Sequence, residues 1–164
     1  MSGHLSNKAP LRDSEIQNVP NYHFAIVVSE WNKPITEKLR DGALKILAQY
    51  DAPIEHIITL LVPGSFELPL AAKWAIEHLK ADAVLCLGCI IKGETKHDEY
   101  ISHSVSNAIM NLSLETSKPI IFGVLTVDTI QQAEDRAGGQ FGNKGEEAAI
   151  TAIKMLNLKN ELNS

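Results

Sequence analysis

The chain has 164 residues, of which 45% are hydrophobic and 21% are charged. This length and composition suit one globular domain with its own core. The net charge of −5, with only three arginines and no run of basic residues, argues against a nucleic-acid partner. No apolar run approaches the roughly 20 residues that span a bilayer, and the first 20 residues hold charges and prolines instead of a signal-peptide core. We therefore expect a cytoplasmic protein without a membrane partner.

Residues 1–20 show no periodicity and are expected to form an arm, followed by a single domain over residues 21–160. Four short runs rich in Val, Ile and Leu are typical of parallel strands covered on both faces, and they span 23–30, 54–62, 83–91 and 119–127. Stretches with helical periodicity follow them, at 33–50, 66–80, 97–115, 129–137 and roughly 145–158. The helix starts have candidate N-caps in Asn32, Ser65, Thr95, Asp128 and Asn143.

This alternation of strand and helix predicts an α/β fold. The expected architecture is a flavodoxin-like three-layer sandwich, in which a four-stranded, mainly parallel sheet carries helices on both faces. In such sheets a ligand binds beyond the carboxyl ends of the strands.

The two cysteines, Cys86 and Cys89, form a C-x-x-C pair within the third predicted strand. Side chains three positions apart in a strand point to opposite faces. A redox pair would sit at a strand-to-helix turn, and a zinc site would need further ligands at suitable spacing. We therefore expect two buried, unreactive thiols. The six histidines show no H-x-x-x-H spacing, so no metal site is predicted.

The loops after the first two strands carry candidate binding groups. Trp31 lies on the loop side of its helix, where an indole is either an edge of the core or a platform on which a planar ring stacks. Gly64 and Ser65 precede a helix whose free N–H groups point towards the site. A turn glycine followed by a capping serine is the simpler interpretation of those two residues.

The loop after the third strand, "KGETKHDEY", is richer in chemistry. Gly93 permits close approach of the backbone, and the start of the next helix attracts phosphate. Thr95 and Asp98 fit a capping box, to which we assign Asp98. His97 has no such explanation. A histidine at the start of a helix, beside a candidate ligand site, is suited to take and return protons.

A glycine-rich stretch over residues 134–149 contains two cations, Arg136 and Lys144. Such a composition is also that of a surface loop with no chemical role. The stretch follows the last strand and its helix, so it need not approach the other loops within one subunit. If the two cations serve the site, an adjacent subunit is the expected source.

Together these motifs resemble the lumazine synthase family. The resemblance covers about residues 24–156 and rests on "VPGSFELP", "GCIIKGETKHDEYI", "IIFGVLT" and "RAGGQFGNKGEEAA", in this order and spacing. It implies condensation of 5-amino-6-(D-ribitylamino)uracil with 3,4-dihydroxy-2-butanone 4-phosphate. The products are 6,7-dimethyl-8-ribityllumazine, the penultimate intermediate of riboflavin biosynthesis, with phosphate and water, and no cofactor or metal is implied.

The resemblance also implies roles for individual residues. The pyrimidine and ribityl group would be bound by Trp31, Asn32, Ser65, Phe66, Glu67, Ile90, Ile91, Phe122 and Lys144. The phosphate would be bound by Gly93, Glu94, Thr95 and Arg136, and His97 would be the general acid and base. Phe122, Arg136 and Lys144 would come from a neighbouring subunit. The family often has an aromatic residue at position 98, so Asp98 is a departure that adds negative charge beside His97.

The family is built from pentamers, and some members assemble twelve pentamers into a hollow icosahedral shell. The short "GGQFGNKG" segment and an arm able to pair with a neighbour's sheet edge favour the shell. Riboflavin synthase is a further partner that the resemblance implies.

Two alternatives to this function are a flavin-binding protein that needs Trp31 but not His97, and a shell protein that has lost catalysis. A response-regulator receiver would need an acidic cluster after the first strand, where only Glu30 occurs.

Overall fold

The computed structural model describes residues 19–164, so the predicted arm over residues 1–20 lies outside the described residues except for Val19 and Pro20. All the predicted strands and helices are present. The strands are β1 (Phe24–Ser29), β2 (Ile57–Val62), β3 (Ala83–Ile91) and β4 (Ile120–Val127). The helices are α1 (Lys33–Gln49), α2 (Leu68–Leu79), α3 (His97–Thr116), α4 (Ile130–Arg136) and α5 (Lys144–Asn163). Short 3-10 turns occur at Val19–Asn21, Ile54–His56 and Ser65–Glu67.

The four strands form one parallel sheet in the order β2-β1-β3-β4. Alternate residues of β1 enter opposite cores: Ile26 packs with α1 and α5 on one face, and Val27 packs with α2 and α3 on the other. The central strands β1 and β3 are therefore covered on both faces, which explains their uninterrupted apolar runs, whereas the edge strand β2 leaves Ile58 and Leu61 exposed. The predicted three-layer α/β sandwich is confirmed.

The cysteine pair obeys the strand geometry expected from its spacing. Cys86 packs in the core beneath α2 and α3, whereas Cys89 packs in the core beneath α1 and α5. Burial raises the pKa of the Cys86 thiol to about 12 and that of the Cys89 thiol to about 11. The two thiols are free and buried, as predicted.

The helix caps agree with the sequence only in part. Asn143 caps α5 as predicted, since its Oδ1 accepts hydrogen bonds from the backbone N–H groups of Gly145 and Glu146. Two other predicted caps are wrong, because α2 begins after the Ser65–Glu67 turn and α4 is capped by Thr129 rather than by Asp128.

The glycine-rich stretch is not simply a surface loop. It forms a small antiparallel hairpin of β5 (Ala137–Gly139) and β6 (Gly142–Asn143). Gly138 and Gly142 have φ values of 107° and 84°, in the region that glycine favours. The hairpin delivers Asn143, whose side-chain amide donates a hydrogen bond to the backbone oxygen of Lys38 in α1. It therefore links α1 to the start of α5.

Within residues 19–164, no helix combines the length and the apolar character needed to cross a membrane. In the same part of the chain, no group of three or more His, Cys, Asp or Glu side chains could hold a metal ion.

Candidate active site

A cavity of about 270 Å³ opens at the carboxyl ends of β1 and β3. It gathers residues from three separate loops and from the first turns of α3. The lining residues that the sequence predicted are Trp31, Asn32, Ser65, Ile90, Ile91, Gly93, Thr95 and His97. These positions lie up to 66 residues apart in the chain (97 − 31), so the parallel sheet is what brings them together.

Trp31 forms one side of this cavity. Its backbone N–H donates to the carbonyl of Pro63 at 3.1 Å, which joins the loop after β1 to the loop after β2. The indole lies directly over Gly64, where an added Cβ would be 2.5 Å from two ring carbons. Because 63% of Trp31 is exposed, it is not an edge of the core. An exposed ring fixed on one face is suited to stacking.

Asn32 ties the first loop to the third strand. Its side-chain amide donates a hydrogen bond of 2.9 Å to the carbonyl of Cys89 in β3. Its backbone is left-handed, with φ of 59° and ψ of 39°, and its side chain makes no cap hydrogen bond with α1. Asn32 therefore occupies the predicted N-cap position of α1, but its side-chain amide does not cap the helix and instead joins two strand ends at the cavity.

The Ser65–Glu67 turn forms the second side of the site. Glu67 Oε2 accepts a hydrogen bond of 3.0 Å from the backbone N–H of Gly64, which fixes the turn internally. Ser65 is buried against Gly88 of β3, where an added Cβ would be 2.5 Å from the serine Oγ. Phe66 is 57% exposed beside it. Ser65 lines the cavity, whereas Phe66 and Glu67 flank it from the same turn.

The third side is the segment from Gly93 to His97. Its start is fixed by the backbone N–H of Lys92, which donates to the carbonyl of Val127 at 2.8 Å. An added Cβ at Gly93 would meet nothing within 4 Å, so no described atom requires a glycine there. Glu94 is exposed outside the cavity lining, between Gly93 and Thr95.

The predicted capping box at the start of α3 is wrong. The cap position is occupied by Lys96, and no side chain caps the helix. The helix begins two residues after Thr95, so the threonine Oγ1 accepts only a long bond of 3.4 Å, from the N–H of His97. Asp98 is consequently left without the structural role that the sequence had suggested for it.

Three predicted residues lie elsewhere in the subunit. Phe122 and Lys144 line a second cavity of about 680 Å³ along β4, between α3 and α5, which shares no lining residue with the first. Arg136 ends α4, where its guanidinium carbon lies 5.5 Å from the centre of the Phe141 ring. One subunit therefore does not bring these three side chains to His97.

Comparison with known proteins decides the family. Residues 21–160 match the family model of 6,7-dimethyl-8-ribityllumazine synthase. The chain belongs to this family. Curated relatives with that name occur in Cytophaga hutchinsonii, 53% identical over 87% of this chain and 89% of the relative, and in Parabacteroides distasonis, 49% identical over 90% and 94%. A third, from Flavobacterium johnsoniae, is 44% identical over 98% of this chain and 85% of the relative.

The cavity at the ends of β1 and β3 also contains residues that the sequence analysis did not assign to it. Cys89 and Ile101 line it, as does Asp98. Ile101 follows His97 by four positions and so shares its face of α3, which is a signal that the helical period alone could have supplied. Asp98 was missed because its place in the sequence also fits a helix cap.

Proposed function

We propose that this cavity catalyses the reaction of the lumazine synthase family, the condensation of 5-amino-6-(D-ribitylamino)uracil with 3,4-dihydroxy-2-butanone 4-phosphate. The product is 6,7-dimethyl-8-ribityllumazine, released with phosphate and water in the penultimate step of riboflavin biosynthesis. The observation that carries the proposal is the convergence of Trp31, the Ser65 turn and the Gly93–His97 segment on one cavity.

Each side of the cavity suits a different part of the substrates. The pyrimidine stacks on the exposed indole of Trp31, and Ile90 and Ile91 lie along its edge. The ribityl hydroxyls meet the polar turn of Ser65, Phe66 and Glu67. The phosphate occupies the open space above Gly93, near Glu94, Thr95 and the positive end of α3.

His97 is proposed as the general acid and base. The ring amine attacks the ketone carbon, and His97 carries one proton from the nitrogen to the oxygen, giving a carbinolamine. A second proton, donated by His97, lets the hydroxyl leave as water and gives a protonated, positively charged imine. His97 then removes the proton from the neighbouring carbon, and the phosphate leaves with its C–O electron pair. Protonation of the resulting enol gives a second ketone. The ribityl-bearing nitrogen attacks this ketone and a second water is lost, which closes the ring.

Much of the rate is attributed to holding the two substrates together. Well-oriented neighbouring groups gain about 7–11 kcal/mol over the bimolecular reaction. His97 is exposed at the start of α3, where its ring can reach a bound substrate, so it adds proton transfer to a site that already aligns the reactants.

We infer that the site is completed by a neighbouring copy of the chain in a pentamer. Phe122 and Lys144 lie together on a different surface from His97, and Arg136 lies at the end of α4. Another copy is therefore the expected source of these side chains for the pyrimidine and phosphate.

Twelve pentamers in an icosahedral shell remain our prediction for the full assembly. Sedimentation that shows only free pentamers would contradict the shell. Riboflavin synthase stays a predicted partner.

The first experiment mixes the purified protein with both substrates and follows phosphate release together with the green fluorescence of the lumazine. We expect both signals to rise in step, above the uncatalysed background. Binding of the pyrimidine without either signal would instead indicate a flavin-type binding protein or an inactive shell protein.

The two tryptophans provide a second experiment on the stacking geometry. Trp74 lies on α2, outside the cavity, and is 52% exposed, so it is a control for Trp31. In Trp74→Phe, the remaining indole at position 31 should be quenched when the pyrimidine binds. In Trp31→Phe, the indole at position 74 should not respond. Equal quenching in both variants would argue against stacking on Trp31.

A further inference from the structure

The active-site cavity contains one side chain with a formal negative charge, that of Asp98. The other described lining residues are apolar or neutral, apart from the titratable His97 and Cys89. Asp98 is half-buried in the first turn of α3. It also lines an adjoining cavity of about 200 Å³ that shares Ile90 with the first. Asp98 therefore contributes to the walls of both cavities.

No structural role in the described chain accounts for this carboxylate. The start of α3 has no side-chain cap, and within residues 19–164 no hydrogen bond or ion pair involves the side-chain oxygens of Asp98. Only its backbone carbonyl has a partner, the hydroxyl of Ser102 at 2.6 Å. Lys92 lines the adjoining cavity with it, but the ammonium of Lys92 pairs with Asp128 at 3.9 Å.

A favourable interaction with the helix dipole does not explain its place in the cavity. Any carboxylate in the first turn gains this interaction, and Glu99 is also in that turn. Glu99 is exposed and does not line the cavity. The two neighbouring carboxylates therefore share the helix end but differ in their access to a bound substrate.

We propose that Asp98 is a second catalytic residue, whose carboxylate stabilises the positively charged imine formed in the reaction. The proposal rests on the proposed function. When the carbinolamine loses water, the nitrogen lone pair forms the C=N bond and the nitrogen becomes positive. Among the described lining residues, Asp98 is the one that supplies a fixed opposite charge. A fixed charge placed where an opposite charge develops stabilises the intermediate without having to reorganise during the reaction.

The same charge appears a second time in the reaction. After His97 removes the carbon-bound proton, the intermediate is a neutral enamine. Expulsion of phosphate moves the nitrogen lone pair back into the C=N bond, and the double bond shifts towards the carbon that carried the phosphate. The nitrogen is again positive as the dianion departs. A carboxylate in the cavity wall keeps the cation stable while His97 performs the proton transfers.

The test compares Asp98→Asn with Glu99→Gln. Both substitutions remove one negative charge from the same helix turn and preserve the size of the side chain. We expect Asp98→Asn to lower kcat about tenfold, with little change in the KM of either substrate, since a unit charge near the reacting nitrogen is lost. Glu99→Gln should retain the wild-type kcat. Asp98→Glu, which keeps the charge, should recover part of the lost rate.

The outcomes separate this proposal from the proposed function. An inactive wild-type protein would overturn the proposed function itself. An active wild-type protein with equal kcat in Asp98→Asn and Glu99→Gln would overturn only the role of Asp98. A loss confined to KM would also overturn it, because it would indicate uniform binding rather than stabilisation of the cation. If Asp98→Asn does not assemble, Asp98→Thr, a neutral variant with good helix-start propensity, is measured in the same way.

Discussion

Gly64 and Gly93 lie in two of the loops at the site, and they differ in the space that a side chain at each position would find. At Gly64, an added Cβ would be 2.5 Å from the Trp31 ring, so any side chain there would have to displace the exposed indole. At Gly93, an added Cβ would meet open space, so no described neighbour requires the glycine. The Gly64 turn therefore builds the stacking platform, whereas the Gly93 segment keeps its surface clear. The space around a glycine therefore distinguishes a position that holds the site in shape, such as Gly64, from a position open to a ligand, such as Gly93.

The largest effect is expected beside the open glycine, at His97. His97→Ala should lower kcat about hundredfold, because general acid and base catalysis typically contributes at least this much. The reaction should not stop, since the two substrates are still held together. The free energy of unfolding should be unchanged, because His97 is exposed and its side chain makes no hydrogen bond within the described chain. Complete loss of activity in a folded, assembled variant would contradict the claim that alignment of the substrates contributes to the rate independently of His97.

Gly64→Ala should damage both structure and activity. The methyl group must displace the exposed Trp31 ring, and holding a side chain away from its preferred rotamer typically costs about 0.5–1.5 kcal/mol of unfolding free energy. Moving the indole should also weaken binding of the pyrimidine. Chemical denaturation and titration with the pyrimidine measure the two effects on the same sample. Wild-type stability and binding would show that the indole has an alternative position.

The sequence predicted the sheet more completely than it predicted the site. Continuous apolar runs such as Ala83–Ile91 identify buried parallel strands, because burial on both faces leaves no polar alternation. The sequence was a poorer guide where one side chain suited two roles, capping a helix or contacting a distant part of the chain. Asn32 and Asp98 both have the chemistry of helix caps, yet Asn32 binds the carbonyl of Cys89 and Asp98 faces a cavity. Which role prevails depends on where each helix begins, and packing with distant strands decides that.

For the residues near β4, the sequence failed to predict a different quantity, their distance from the first cavity. The motifs marked Phe122 and Lys144 as candidates, but the sequence could not give their distance from His97. The parallel order β2-β1-β3-β4 leaves β4 at one edge of the sheet, and the two residues line a cavity there. Their separation from the first cavity follows from strand order, a property that no single motif encodes.

Gly93→Ala is the converse of Gly64→Ala and should leave stability unchanged. The Cβ would enter open space, and Gly93 has no left-handed backbone that an alanine would strain. We expect the KM of the butanone phosphate to rise about tenfold, because a methyl group obstructs close approach to backbone N–H groups. The KM of the pyrimidine should change little. An unchanged KM for both substrates would place the phosphate away from this segment.

The smallest effect at neutral pH is expected for the thiols, which lie in β3 within the two cores of the sheet. Burial raises the pKa of Cys86 to about 12 and that of Cys89 to about 11, from an ordinary value of 9.0. The thiolate is the reactive form, so the native protein should resist iodoacetamide at neutral pH while the unfolded chain reacts. Modification of Cys89 alone in the native state would indicate that the cavity opens beside Asn32.

The same shifts fix the direction of a pH effect on stability. Above about pH 9 the unfolded thiols release protons that the folded thiols retain, so the unfolded state gains stability relative to the native state as pH rises. The contribution of the buried thiols is fully present below pH 9 and is lost through about pH 11 to 12. Denaturation measured across this range should show a shallower fall in Cys86→Ala/Cys89→Ala than in wild type. An equal slope in the two proteins would assign the alkaline loss to other groups, such as Tyr22, whose pKa is raised by burial and by Asp82.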